Sequence, residues 1–306
     1  MPICRKERDF HMDEKLKILV VAGHPADMFD HCGGTLLHHV RRGDEVTCVS
    51  ITQGLRIHDE VVSDLFRHHI GEYSEAEIAE IVKERQKVKY QEAIDACALF
   101  GVHDVRFLDY DDEILTVNGP MISKLASLLR EVQPDLVITH WPYQGDTFSN
   151  HHAVTGQLTL AAVTAAAGVN FADRNPACKV AQIAFMLCPL DVTCRNVTGL
   201  GKTAYISYYV DVTDVIEQKV KAVNMMRSQK YDLPGSAHKT TEIWSGNFGN
   251  AIRIPYAEGF AFEYPEIGEC IPISKTRRWL QTEDEEKLLR NAAGLQAMDV
   301  KLIERE

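Results

Sequence analysis

The run Lys17–Ala22 (KILVVA) is continuously apolar after its lysine and stops at Gly23-His24-Pro25. A strand with no polar alternation must be buried on both faces, which requires a parallel sheet covered by helices on each side. The segments that follow keep to that plan. CGGTLLHHVRRG reads as a helix stopped by Gly43, EVTCVSIT (45–52) as a second strand, and 74–102 as a long amphipathic helix opened by Ser74 and the acids after it. DVRFLDY, MISKLASLLREVQ and DLVITH then read as strand, helix and strand, the last ending at His140. This β-α-β-α-β-α-β order predicts an α/β fold, a Rossmann-like and mainly parallel sheet flanked by helices and wound with right-handed crossovers.

Between the second strand and the long helix, residues 53–73 exceed an ordinary βα connection and are rich in His and Arg, so the segment is a candidate lid or substrate-contacting insertion. The second half is less regular. It offers a helix in HHAVTGQLTLAAVTAAAG, strands near QIAFML and YISYYVDV, a helix in VIEQKVKAVNMMRSQ and a late strand in GFAFEY. No linker-like composition divides the chain, so 1–306 is expected to be a single domain, with a charged helical extension over 276–306 that suits solvent or an oligomer contact. A homo-oligomer is the expectation.

Composition narrows the partners. Lys and Arg number 33 against 44 Asp and Glu, a net charge of −11, whereas binding of nucleic acid rests on clustered cations. No apolar run approaches the ~20 residues that span a bilayer, and the charged N-terminus lacks the apolar core of a signal peptide. The expectation is a cytoplasmic protein that meets a small-molecule substrate, with no nucleic acid and no membrane. Eight cysteines occur without a C-x-x-C pair, which reads as reduced, buried thiols rather than a disulfide frame or thiolate zinc site.

In a parallel sheet the ligand crevice lies beyond the C-terminal ends of the strands. Those ends carry Gly23-His24, Thr52-Gln53-Gly54, Asp109 to Asp112 and Thr139-His140, so ionisable residues fall where the crevice belongs. His24 and Asp27 stand three apart on the first turn. The segment THWPYQGDTFSNHHAVTG after the fourth strand adds His140, Asp146, His151 and His152. Catalytic zinc takes three ligands of His and carboxylate type and keeps a position open. Either stretch alone suits a hydrogen-bonded structural pair; together, at strand ends that adjoin, they favour a metal site.

GHPADMFDHCGGTL resembles the His-Pro-Asp-Asp and Gly-Gly-Thr-Leu motif of the PIG-L/LmbE zinc deacetylase family, and NHHAV resembles its His-Pro-Asp-His-x-Ala-Val motif. RRGDEVTCVSITQG, RQKVKYQEAIDACALFGVHDVRFLDYDD, LLREVQPDLVITH, VKAVNMMRSQ and YAEGF follow in similar order, so the resemblance spans roughly 16 to 265. It implies Zn2+, or another divalent metal, held by His24, Asp27 and His151, with His152 replacing His151 if the register slips by one. It also implies hydrolysis of a C–N bond, amide or N-acyl, in a small polar substrate.

The departures are as informative. Where the deacetylases carry their general base this chain has Ala26, which cannot take a proton. Met28, Leu55, Phe148 and Asn150 likewise stand at positions the family fills with ionisable residues. A branch of the family similar to 4-oxalomesaconate hydratases shares the Ala and a YAEG followed by an aromatic-Pro pair, as in YAEGFAFEYP here. That branch implies addition of water across a C=C bond of an unsaturated carboxylic acid. A non-catalytic metal-binding scaffold is the third reading.

Three residues are candidates for the missing base: Asp146 on a Gly-containing loop, His152 beside the ligand, and Asp30 one turn after Asp27. Each also has a plain structural use, as a turn acid, an early helix residue and a first-turn acid. Arg56 and His58 at the start of the insertion, and Arg85 in the helix after it, are candidates to hold a carboxylate or phosphate of the substrate. His68 and His69 point to different faces of a helix and suit the surface. Trp244 and Phe248 either line the crevice or pack against the sheet.

Overall fold

The computed structural model describes residues 14–113, 116–144, 150–189, 204–268 and 271–292. Its centre is a seven-stranded sheet of order β3-β2-β1-β4-β5-β7-β6, with β1 Lys17–Ala22, β2 Glu45–Thr52, β3 Asp104–Tyr110, β4 Leu136–His140, β5 Gln182–Met186, β6 Tyr208–Asp211 and β7 Ala257–Phe262. Strands β1 to β5 are parallel, as the apolar runs require, and β7 joins β5 and β6 antiparallel. The strand order reverses between β1 and β4, so the crevice opens beyond Ala22 and His140.

Two apolar layers sandwich the sheet. Ile18, Val20 and Ala22 point to one side with Phe29, Leu36 and Phe100; Leu19 and Val21 point to the other with Leu125, Leu129, Leu158 and Phe185. The first layer is covered by α1 (Gly33–Arg42), α2 (Glu75–Ala98) and later α5 (Ile216–Asn224), the second by α3 (Gly119–Val132) and α4 (His151–Ala167). Ser74 opens α2 with a capping box to Glu77, and Gly43 ends α1 in the left-handed region at φ 94°.

The insertion differs from the expected loop. It is a chain of short helical turns, Leu55–His58, Glu60–Asp64, Leu65–His69 and Ile70–Glu72, because Leu55, Val62 and Leu65 are buried at helical spacing. The expected C-terminal extension is helical over Lys275–Thr282 and Glu285–Ala292; residues 293–306 lie outside the described residues. Among the described residues, no helix is long and apolar enough to cross a membrane.

Two glycines fix how closely the helices approach. A Cβ on Gly34 would fall 2.5 Å from Val212, and one on Gly156 would fall within 3.0 Å of the Pro142 backbone and closer still to the His140 carbonyl. Gly156 therefore lets α4 rest directly on the end of β4, bringing its first turn to the crevice.

A buried ion pair locks the second half to the first. Glu258 on β7 and Lys219 on α5 are each 1% exposed, with Nζ donating to Oε1 at 2.7 Å and to Ser245 Oγ at 2.9 Å. The same carboxylate accepts from the Gly34 amide (3.0 Å), the Thr35 amide (2.8 Å) and the Thr35 hydroxyl (2.6 Å), so it also caps α1. Removing one partner leaves a buried charge unpaired, which costs about 3–5 kcal/mol. Glu258→Ala is expected to lose that much in urea-induced unfolding; a loss under about 1 kcal/mol would show the pair to be dispensable.

Candidate metal centre

His24 and Asp27 come from the turn that leaves β1. The Asp27 amide donates back to the His24 carbonyl at 3.2 Å, and the turn continues into a single helical turn, Asp27–Asp30. The Thr52 amide and hydroxyl hold the Gly23 carbonyl at 3.0 and 2.8 Å, so β2 fixes where this turn begins.

Asp27 Oδ2 is the hub. It accepts from the His24 amide at 2.8 Å and lies 3.1 Å from His24 Nδ1, 3.2 Å from His140 Nε2 and 3.2 Å from His152 Nε2. His140, the last residue of β4, also meets the Gly23 amide at 3.1 Å. His152 comes from the first turn of α4, where Asn150 is the N-cap, its side chain accepting from the amides of His152 (2.9 Å) and Ala153 (3.2 Å). The other His152 nitrogen, Nδ1, lies 2.9 Å from Gln144 Oε1, and the ring stacks on His140 at 4.1 Å.

His151 sits on the other side of His24, with its Nδ1 3.3 Å from His24 Nε2. His58, delivered by the insertion, places its ring 4.6 Å from that of His24. Asp30 and His31 lie beneath, both buried, with the His31 ring edge-on to Trp244 at 4.8 Å.

Burial alone would raise the Asp27 carboxyl, but His152, His24 and His140 hold it well below the usual carboxylate range. Asp30 goes the other way, raised well above that range by burial and by the negative charge of Asp27. Burial, with its histidine neighbours, pushes His140 down to about 4 and His58 to about 3, and lowers His31 and His151. Imidazole in its neutral form and carboxylate in its ionised form are the states in which these residue types bind a cation.

Three groups among the described residues offer ligand atoms all within 4.8 Å of one another: His24, Asp27 and His152; His31, His140 and His152; and Asp27, Asp30 and His31. The mixed imidazole and carboxylate donors fit zinc or a similar divalent ion. Of the residues expected from sequence, His24, Asp27, Asp30, His58, His151 and His152 all converge here. Asp146 lies outside the described residues.

The two arginines are committed elsewhere. Arg85 grips the fully buried Asp59 through Nε and a terminal nitrogen at 3.1–3.2 Å, and Asp59 caps the Glu60–Asp64 turn. Arg56 pairs with Asp111 at 2.6 and 2.9 Å, on the outer side of the insertion. Beside His58 opens a polar cleft of about 360 Å³ whose walls include Arg67, Lys230 and Tyr231. The Tyr231 phenol, which lines the same cleft as His58, is pushed up by burial and by the charges of Asp30 and Asp27. Sequence reasoning passed over His31, Arg67 and Tyr231; the one signal for His31 was an ionisable pair, Asp30-His31, inside the apolar run MFDHC.

The PIG-L family profile, described as GlcNAc-PI de-N-acetylase, matches residues 19–163. Over 265 residues the chain is 26% identical to the diacetylchitobiose deacetylase of Thermococcus kodakarensis, covering 83% of this chain and 87% of that protein. Over 275 residues it is 24% identical to the 4-oxalmesaconate hydratase of Pseudomonas putida, covering 88% and 96%. The crystal structure of a 4-carboxy-2-hydroxymuconate hydratase from Pseudomonas putida shares the fold, with a TM-score of 0.64 at 22% identity over 84% of this chain and 100% of that one. Fold, motif order and similarity over most of the chain agree: the chain resembles the PIG-L/LmbE family.

Proposed function

We propose that the chain is a metal-dependent hydrolase that cleaves an amide or N-acyl C–N bond of a small polar substrate, with the metal held at His24 and Asp27. The observation that carries this reading is the convergence of three histidines on one buried Asp27 oxygen at the switch point of the sheet. The deacetylase relatives support the reaction class. Zinc, or another divalent ion, would supply there a polarised carbonyl and a water acidified toward neutral pH.

The third ligand comes from the His151–His152 pair. The resemblance implies His151, which approaches His24 Nε2; the compact triple with His24 and Asp27 contains His152, whose Nδ1 is oriented by Gln144 as metal-binding imidazoles usually are. The cleft walls supply substrate contacts: His58 beside His24, with Arg67 and Tyr231 as further polar groups lining the cleft. Arg56 and Arg85 act through the insertion, Arg85 by fixing Asp59 next to His58. For proton transfer the chain offers Asp30 and, in the segment before Asn150, Asp146; His152 is engaged through both ring nitrogens.

A second reading is hydration of an unsaturated carboxylic acid. Ala26 favours it, because a 2% exposed methyl sits in the apolar layer where a deacetylase needs a carboxylate, and a hydratase relative matches along nearly its whole length.

Metal analysis of purified protein is expected to find a stoichiometric divalent ion that His24→Ala and Asp27→Asn lose, with affinity falling by more than about 100-fold. Protein that binds no divalent ion contradicts the reading. The compact triple predicts that His152→Ala loses the ion and His151→Ala retains it; the reverse assigns the ligand to His151. With N-acyl sugars, release of a carboxylic acid and an amine is the expected outcome. Consumption of a C=C chromophore in unsaturated di- or tricarboxylates, with no second product, selects the hydratase. Ala26→Asp is expected to raise hydrolysis of an N-acyl substrate, and loss of turnover would show that the small side chain makes room for the substrate.

A further inference from the structure

One catalytic zinc ion uses three protein ligands, and the centre holds more donors than that. Asp30 and His31 are 8% and 6% exposed, yet neither Asp30 Oδ1 nor His31 Nδ1 has a hydrogen-bond partner. Buried polar atoms left unpaired are rare and costly. The two orphans face each other at 3.6 Å. Two donors at about 2.1 Å from a single tetrahedral ion stand about 3.4 Å apart, so the gap is one a cation fills.

Charge points the same way. Asp27 and Asp30 are acids on one buried helical turn, and the charge of Asp27 raises the cost of ionising Asp30. The lysine whose charge acts on Asp30, Lys219, is already bound to Glu258 at 2.7 Å. The rings that pack around His31, those of Trp244, His140 and His152 at 4.8 to 5.9 Å, make edge contacts and leave Nδ1 unpaired.

We propose that Asp27, Asp30 and His31 form a second divalent-cation site, which shares the Asp27 carboxylate with the first and makes the centre binuclear. The proposal rests on the metal reading above. It takes Asp30 out of proton transfer and makes it a ligand. Two carboxylates and one imidazole suit manganese as well as zinc. Paired ions in such sites lie about 3.5–4 Å apart and clamp a reacting oxygen from both sides, a charge-stabilising role that Ala26 cannot play.

The test is titration of metal-free protein with Mn2+, followed by calorimetry and by electron paramagnetic resonance. Wild type is expected to bind two equivalents and to give an exchange-coupled spectrum at saturation. His31→Gln and Asp30→Asn, checked for native melting, are each expected to bind one equivalent with the six-line spectrum of isolated Mn2+. One equivalent in wild type overturns the second site and leaves the first standing, as do two equivalents in both variants. Protein that binds no Mn2+ and no Zn2+ overturns both readings.

Discussion

A single buried carboxylate oxygen, Asp27 Oδ2, sets the arrangement of the crevice. Burying an ion costs several kcal/mol unless it is paired, and this one is met by the His24 amide and by three imidazoles. Those groups come from three places in the chain: the turn after β1, the end of β4 and the first turn of α4. The oxygen can be satisfied only if β1 and β4 lie side by side with their ends level, which the pairing of Val21 with Thr139 ensures. It also needs α4 to approach closely, which Gly156 allows.

The rest of the fold holds that geometry still. Glu258 and Lys219 tie the antiparallel end of the sheet to the start of α1, just after the turn that carries His24 and Asp27. The insertion has its own buried anchors. Asp59 is gripped by Arg85, and Lys89 donates to the His58 carbonyl at 3.0 Å and to Ser228 Oγ at 3.4 Å. Burial lowers Lys89 to about 8, so its desolvation works against its pairing. His58 is therefore placed against His24 by fixed polar contacts, which suits a wall of the substrate cleft better than a freely moving lid.

The parallel half of the fold was legible because β1 is a continuous apolar run and the β-branched runs after it alternate with helices that carry their own start or stop signal, such as Ser74 or Gly43. The antiparallel placement of β7 between β5 and β6 had no local signal, since it depends on pairings such as Phe185 with Ala261. His24 and Asp27 were legible as a pair because three residues separate them on one turn. The choice between His151 and His152 was not, because it depends on how Asn150 caps α4 and where Gln144 reaches. Arg85 looked like a substrate contact and is bound to Asp59, a partner 26 residues away in the chain. His31 was hidden in an apolar run, and only the folded turn shows it facing Asp30.

Ala26 separates two questions that the motif at first joins. An alanine at that position cannot serve as a base, while the proposed ligands around Asp27 are all in place. The most direct measurement of the central claim is an anomalous difference map, collected across the zinc absorption edge, from crystals grown with Zn2+. A metal held at this centre gives a strong peak within coordination distance of Asp27 and His24, absent from Asp27→Asn crystals. A map with no peak in that crevice, or with one unchanged by the substitution, would contradict that claim.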